Sequence, residues 1–151
     1  MTLSKSARYA LYAAVEMALA SDEPVTVSSV ATRHAIPPTA LAKVFQQLVR
    51  AGLATSARGV GGGYRLSRSG SDISVLDVIA VFDPPRPPGQ DLLTGRIEPA
   101  GETPVDLRLR QLFDEVDEVV RCTYASVSLD TLARRAGAER PHLSMPRAKL
   151  R

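Results

Sequence analysis

Pro37 and Pro38 constrain the fold of this chain more than any other pair of residues. Before them, "VSSVATRHA" places Val27, Val30, Ala31 and His34 on one side of a short helix, with Thr26 as its N-cap. "IPP" breaks that helix. Proline sits without penalty at the first position of the next one, because its missing N–H would be unpaired there anyway. That next helix is "PTALAKVFQQLVRAG". Leu41, Val44, Phe45, Leu48 and Val49 form its apolar stripe. Thr39, Lys43, Gln46, Gln47 and Arg50 face the other way. Gly52 supplies the left-handed stop.

The segment ahead of this pair, residues 3–20, repeats Leu3, Ala7, Ala10, Leu11, Ala14, Met17 and Ala18 at helical spacing and ends at "SDEP". A longer helix followed by two short ones around a tight proline turn is a helix-turn-helix pattern. The outward face of the second short helix carries long hydrogen-bonding side chains and no acid, which suits a helix lying in a DNA major groove.

Directly after it comes "ARGVGGGYRLS", residues 57–67. The short extended runs 53–57 and 63–67 flank "RGVGG", so the stretch predicts a β-hairpin with a glycine-rich tip. Behind a helix-turn-helix such a hairpin is a wing. Its glycines allow close approach to phosphates, and Arg58 and Arg65 supply charge. A nucleotide cradle is the competing reading. It fails because no G-K-[ST] follows and no G-x-G-x-x-G is completed.

Ser74 offers an N-cap for a helix over 74–83. The Pro/Gly-rich stretch 84–104 is longer than an ordinary connection, so a flexible loop is expected there. From Val105 the apolar residues step by fours and threes: Val105, Leu109, Leu112, Val116, Val119, Thr123. Leu107, Phe113 and Val120 widen this heptad-like seam, which suits a dimer helix. Packing on its own domain is the simpler alternative. Ser128 caps a last short helix, "LDTLARRA". The basic stretch 137–151 has no periodicity and is expected to be disordered.

The chain has 151 residues with 44% hydrophobic and 5% aromatic content and no Trp, so its core must be aliphatic. Residues 1–70 hold 8 Lys/Arg against 3 Asp/Glu, whereas residues 71–151 hold 11 against 13. The basic half suits a polyanionic partner. One cysteine, Cys122, excludes an intrachain disulfide framework. No apolar run is long enough to span a membrane. The N-terminal stretch is broken by Arg8, Tyr9, Tyr12 and Glu16, so it reads as a helix and not a signal peptide. A cytoplasmic location is expected.

In order from Leu3 to about Ala136, the sequence resembles the bacterial winged-helix transcription regulators that include IscR, NsrR and CymR. "LSKSARYALYAAVEMA" resembles the family's first helix. "IPPTALAKVFQQLVRAGLATSARGVGGGYRLSR" resembles its recognition helix and wing. "ISVLDVIAVFD" and "SVSLDTLARR" resemble its later helices. The resemblance implies a homodimer that binds a palindromic operator in double-stranded DNA and usually represses. By position it carries over Thr39, Ala40 and Lys43 for the recognition helix. For the wing it carries over Arg58, Gly59, Gly62, Gly63 and Tyr64. Many members sense through an iron–sulfur cluster held by three cysteines in the loop before the dimer helix. Here that loop has none, so the chain resembles the cluster-free branch, with no cofactor and with effectors that are diverse or unknown; an unidentified small-molecule effector and oxidation of Cys122 are the two candidates.

The expected architecture is therefore mostly α with a small β-hairpin. A winged helix-turn-helix covers 1–83, a flexible loop 84–104, dimerisation helices 105–136 and a basic tail 137–151. Candidate DNA-contacting residues are Lys5, Arg8, Thr39, Ala40, Lys43, Gln47, Arg58, Gly59, Gly62, Gly63, Tyr64 and Arg65. Candidate dimer residues are Leu109, Leu112, Phe113, Val116, Val119 and Val120. Cys122 reads first as a small buried apolar residue and second as a redox thiol activated by Arg121. His34 reads as a surface or packing residue, Tyr64 as packing under the wing, and Tyr9 as either core or phosphate-facing. Asp114, Glu115, Asp117 and Glu118 read as a solvated helix face. A DNA-binding regulator leads. A winged-helix protein-interaction module is the alternative, weakened by the basic wing. No nucleophile–base pair, metal spacing or cofactor motif supports an enzyme.

Overall fold

The computed structural model describes residues 3–21, 23–57, 59, 62–84 and 103–138. The stretches 85–102 and 139–151 contain nearly all of the expected loop and tail, and they lie outside the described residues. In chain order the elements are α1 (Lys5–Ala20), α2 (Val27–His34), α3 (Pro38–Arg50), β1 (Ala54–Ala57), β2 (Gly63–Leu66), a 3-10 turn (Gly70–Asp72), α4 (Val75–Phe82), α5 (Pro104–Ser126) and α6 (Leu129–Ala138). This is the winged-helix arrangement.

The centre of the body is α1. It begins two residues later than the periodicity suggests, because Ser4 is its N-cap and accepts from the Ala7 N–H. Ala7, Ala10, Ala13, Ala14 and Met17 are buried on it. These mostly small residues let neighbouring backbones approach closely, and α3, α4 and α6 all pack against α1. The Ser4 N–H donates to Asp83 Oδ2 at 2.8 Å, tying the start of α1 to the end of α4.

The caps read from the sequence are present. Thr26 accepts from the Ser29 N–H, and Ala35 closes α2 in the left-handed region with φ 52°. After α3, the Gly52 N–H donates to the Val49 carbonyl and the Leu53 N–H to the Leu48 carbonyl. These two bonds form a Schellman stop that needs the φ of +72° at Gly52. Ser74 and Asp77 form a capping box at α4. Thr103 and Asp106 form one at α5. Hydrogen bonds from the Thr103 hydroxyl and N–H hold the exposed Asp106 carboxyl below the usual carboxylate range.

The last two helices differ from each other in packing. α6 lies on α1 and on the 3-10 turn, with Leu129 and Ala133 buried. The Leu129 N–H donates to the Ile73 carbonyl, and the Val75 N–H to the Val127 carbonyl. Within the expected span 105–136, α6 packs on the winged-helix body. It also runs past the expected boundary at 136, to Ala138. α5 touches α4 but buries none of its residues.

Candidate nucleic-acid interface

The apolar stripe of α3 seats the helix. Leu41, Val44, Phe45 and Leu48 are buried, while Val49 is half-buried. This turns Thr39, Lys43, Gln46, Gln47 and Arg50 outward, all exposed, with Ala40 half-buried beside them. Two cations and two amides on one solvent face can donate to base acceptors and phosphates.

The wing pairs antiparallel in the register Ala54↔Leu66, Thr55↔Arg65, Ser56↔Tyr64 and Ala57↔Gly63. Strand alternation sends Arg65 to solvent and Tyr64 inward. The Tyr64 ring stacks on Phe45 of α3, with centroids 4.4 Å apart and planes 24° apart. One aromatic pair thus fixes the wing against the back of α3, and packing takes up the Tyr64 ring.

A short third strand segment also holds the wing. The Val25 N–H donates to the Tyr64 carbonyl, and the Tyr64 N–H to the Val25 carbonyl, both at 2.8 Å. A Cβ on Gly63 would stand 2.7 Å from the Val25 carbonyl oxygen. The glycine at 63 is therefore demanded by this inward backbone approach, at the base of the wing. Gly59 has φ +106° with open space around it, and its carbonyl accepts from the Gly62 N–H at 2.9 Å in the tip turn. Arg58, the wing cation, lies outside the described residues.

Lys5 and Arg8 are exposed on the first turns of α1, whose start is bound to α4. The Lys5 ammonium sits 5.8 Å from the centre of the Tyr9 ring, and Tyr9 itself packs against the core. The Phe45–Tyr64 stack and the packing of β1 on α3 join the wing to the recognition helix.

Three further expectations meet the structure here. Cys122 is exposed and not buried, because its helix has no burying neighbour. Arg121 acts to lower its pKa, but Glu118 outweighs it. The Cys122 thiol lies 3.5 Å from Glu118 Oε1, and that hydrogen bond and charge push the thiol pKa up. Arg121 Nε pairs with the other Glu118 oxygen at 3.2 Å. His34 has partners that its sequence position did not reveal: Glu16 Oε1 at 2.9 Å, and the Tyr12 ring 4.6 Å away. Glu16 itself was missed. A carboxylate among buried alanines one turn from Tyr12 was the available signal.

A helical body carrying a helix-turn-helix and a hairpin wing defines a winged-helix DNA-binding protein. The chain belongs to the Rrf2 family, described as iron-dependent transcriptional regulators, whose family model matches residues 3–135. It is 35% identical over 140 residues to the HTH-type transcriptional regulator BadM of Rhodopseudomonas palustris, covering 93% of this chain and 86% of that one. It is 43% identical over 84 residues to IscR of Vibrio atlanticus, covering 55% of this chain and 49% of that one. Its fold matches CymR (YrzC), the global cysteine regulator of B. subtilis, with a TM-score of 0.74 and 26% identity, over 89% of this chain and 98% of that one. The chain is a DNA-binding transcriptional regulator.

An iron–sulfur cluster is a poor match to the ligands of this chain. An iron–sulfur cluster takes several thiolates or equivalent ligands. The sequence contains one cysteine and two histidines, His34 and His142. Cys122 is turned to Glu118, and His34 to Glu16. Among the described residues no group of three His, Cys, Asp or Glu gathers to hold a metal. This donor set does not fit a cluster.

Proposed function

We propose that this regulator works as a cytoplasmic homodimer that represses from a palindromic operator. In this reading α3 meets base edges through Thr39, Lys43 and Gln47, and the wing grips flanking phosphates through Arg58 and Arg65. The observation that carries it is the state of α5. Val105, Leu109, Leu112, Val116 and Val119 share one side of the helix and are all exposed, up to 66%. A contiguous apolar face of this length marks an interface. A second copy of the same helix covers it symmetrically and places two recognition helices on one duplex. Phe113 and Val120, half-buried, flank that face.

The regulator senses without a cluster, through a small molecule that binds the protein. Sedimentation at micromolar concentration tests the pairing: a dimer is expected, and a monomer would remove the reading. Anaerobic purification from iron-rich cells tests the sensing, with a colourless protein expected. A visible absorbance band with stoichiometric iron and sulfide would overturn it.

A further inference from the structure

We propose that Glu16 is a positioning residue for operator discrimination. It fixes how α2, and the recognition helix that follows, sits on α1. The proposal rests on reading α3 as the helix that meets the bases.

Glu16 is the one buried charged residue among those described, at 7% exposure. Its carboxylate joins two helices. Oε2 accepts from Arg33 Nη1, and Oε1 is 2.9 Å from His34 Nε2. The His34 ring lies against Tyr12, one turn before Glu16 on α1. Arg33 and His34 are the last two residues of α2. Beyond them Ala35 is left-handed, Ile36 is buried with its N–H on the Ala31 carbonyl at 3.0 Å, and α3 starts at Pro38. The clamped end of α2 is therefore linked to the first turn of α3 by a short, bonded turn.

α2 is an eight-residue helix that buries Val30 and Ala31 and packs Val27 on the core, with buried Val25 and Ile36 at its two ends. Apolar burial is non-directional, so these side chains specify its rotation on α1 only loosely. The polar contacts of Arg33 and His34 with one carboxylate are directional and specify it more closely. Burying the carboxylate costs free energy that an apolar side chain would not. Registry is the best-attested return for such a group. Base contacts need it, since a recognition side chain must be held within about 0.5 Å of its productive geometry.

The test separates positioning from plain stability. The probe is a duplex selected by the wild-type full chain from a random-sequence pool, compared with a scrambled duplex of equal length. Glu16→Met fills the site, lets Arg33 reach water from its half-exposed position and leaves His34, at 24% exposure, without its carboxylate partner, so its melting is measured beside its binding. Its affinity for the selected duplex should fall about tenfold, the scale of one mismatched base pair. Its affinity and salt slope on the scrambled duplex should stay unchanged. A folded Glu16→Met protein with full discrimination overturns the proposal. If that variant does not fold, Glu16→Gln decides: discrimination reduced threefold or more supports the proposal, and full discrimination overturns it. Lys43→Ala is run beside them. If it leaves discrimination intact, the reading of α3 itself fails. If only the Glu16 variants do, the positioning role fails.

Discussion

α3 and α5 carry the same kind of sequence pattern and meet opposite fates. Each has an apolar stripe at helical spacing with charged residues opposite. On α3 the stripe is closed by α1, α2 and β1, leaving Leu41, Phe45 and Leu48 at 0% exposure. On α5 the stripe stays open, with Leu112 at 52% and Val119 at 66%. Periodicity states that a face wants cover and is silent about what covers it. For α3 the cover lies elsewhere in the same chain. α5 is 23 residues long and is held at its C-terminal end by the Val127 and Leu129 backbone bonds to Val75 and Ile73. Too little of the small body lies alongside it to close such a face.

The sharpest way to break this contrast is one substitution made in both helices. Leu48→Ala should cost about 2–5 kcal/mol of folding stability, because it hollows a closed core. Leu112→Ala should leave the unfolding of the body unchanged and weaken only self-association. Denaturant titration with sedimentation checks both, and equal losses of stability would erase the distinction. Next in size, Leu112→Glu with Val116→Glu should give folded monomers whose operator affinity falls by about 100-fold, since the second half-site no longer adds its grip. A double variant that still sediments as a dimer would place the interface elsewhere.

Smaller effects probe how the body holds its DNA surface. Gly63→Ala puts a Cβ against the Val25 carbonyl and should cost about 1–3 kcal/mol, with the wing shifted from α3. Unchanged melting would mean that Val25 gives way freely. Arg65→Ala should reduce the salt slope of DNA binding by about one unit for every sequence alike, whereas Lys43→Ala should alter base preference. Binding titrations over a salt series distinguish them. The smallest effect belongs to α5. Because Glu118 raises the Cys122 pKa, less thiolate is present near neutrality, and alkylation should set in at higher pH than for a free thiol. Glu118→Gln should move that profile back down. An alkylation profile unaffected by the change would show that Glu118 is not the cause.

Much of the surface proposed to meet DNA was legible in the sequence because it follows from local rules. A proline turn, a cap at Thr26, a left-handed stop at Gly52 and a period of 3.6 together fix α2 and α3 and which side chains face out. The wing was legible from its glycines, and packing of Tyr64 under it is the reading preferred to a phosphate contact. The Glu16 clamp was not. Its partners are 17 and 18 residues away, and nothing local says that a glutamate on α1 meets the end of α2.

The sequence by itself determined the helices of the body, the caps at Thr26, Gly52 and Ser74, and the hairpin, because hydrogen-bonding and steric preferences over a few residues set these. Only the tertiary structure decided that Gly63 is a glycine for Val25 and that α6 closes the body. It also decided that Cys122 stands in solvent and that a buried carboxylate binds the helix-turn-helix to α1. Each of those depends on which distant surface arrives at a residue, and that follows from the packing of the whole chain.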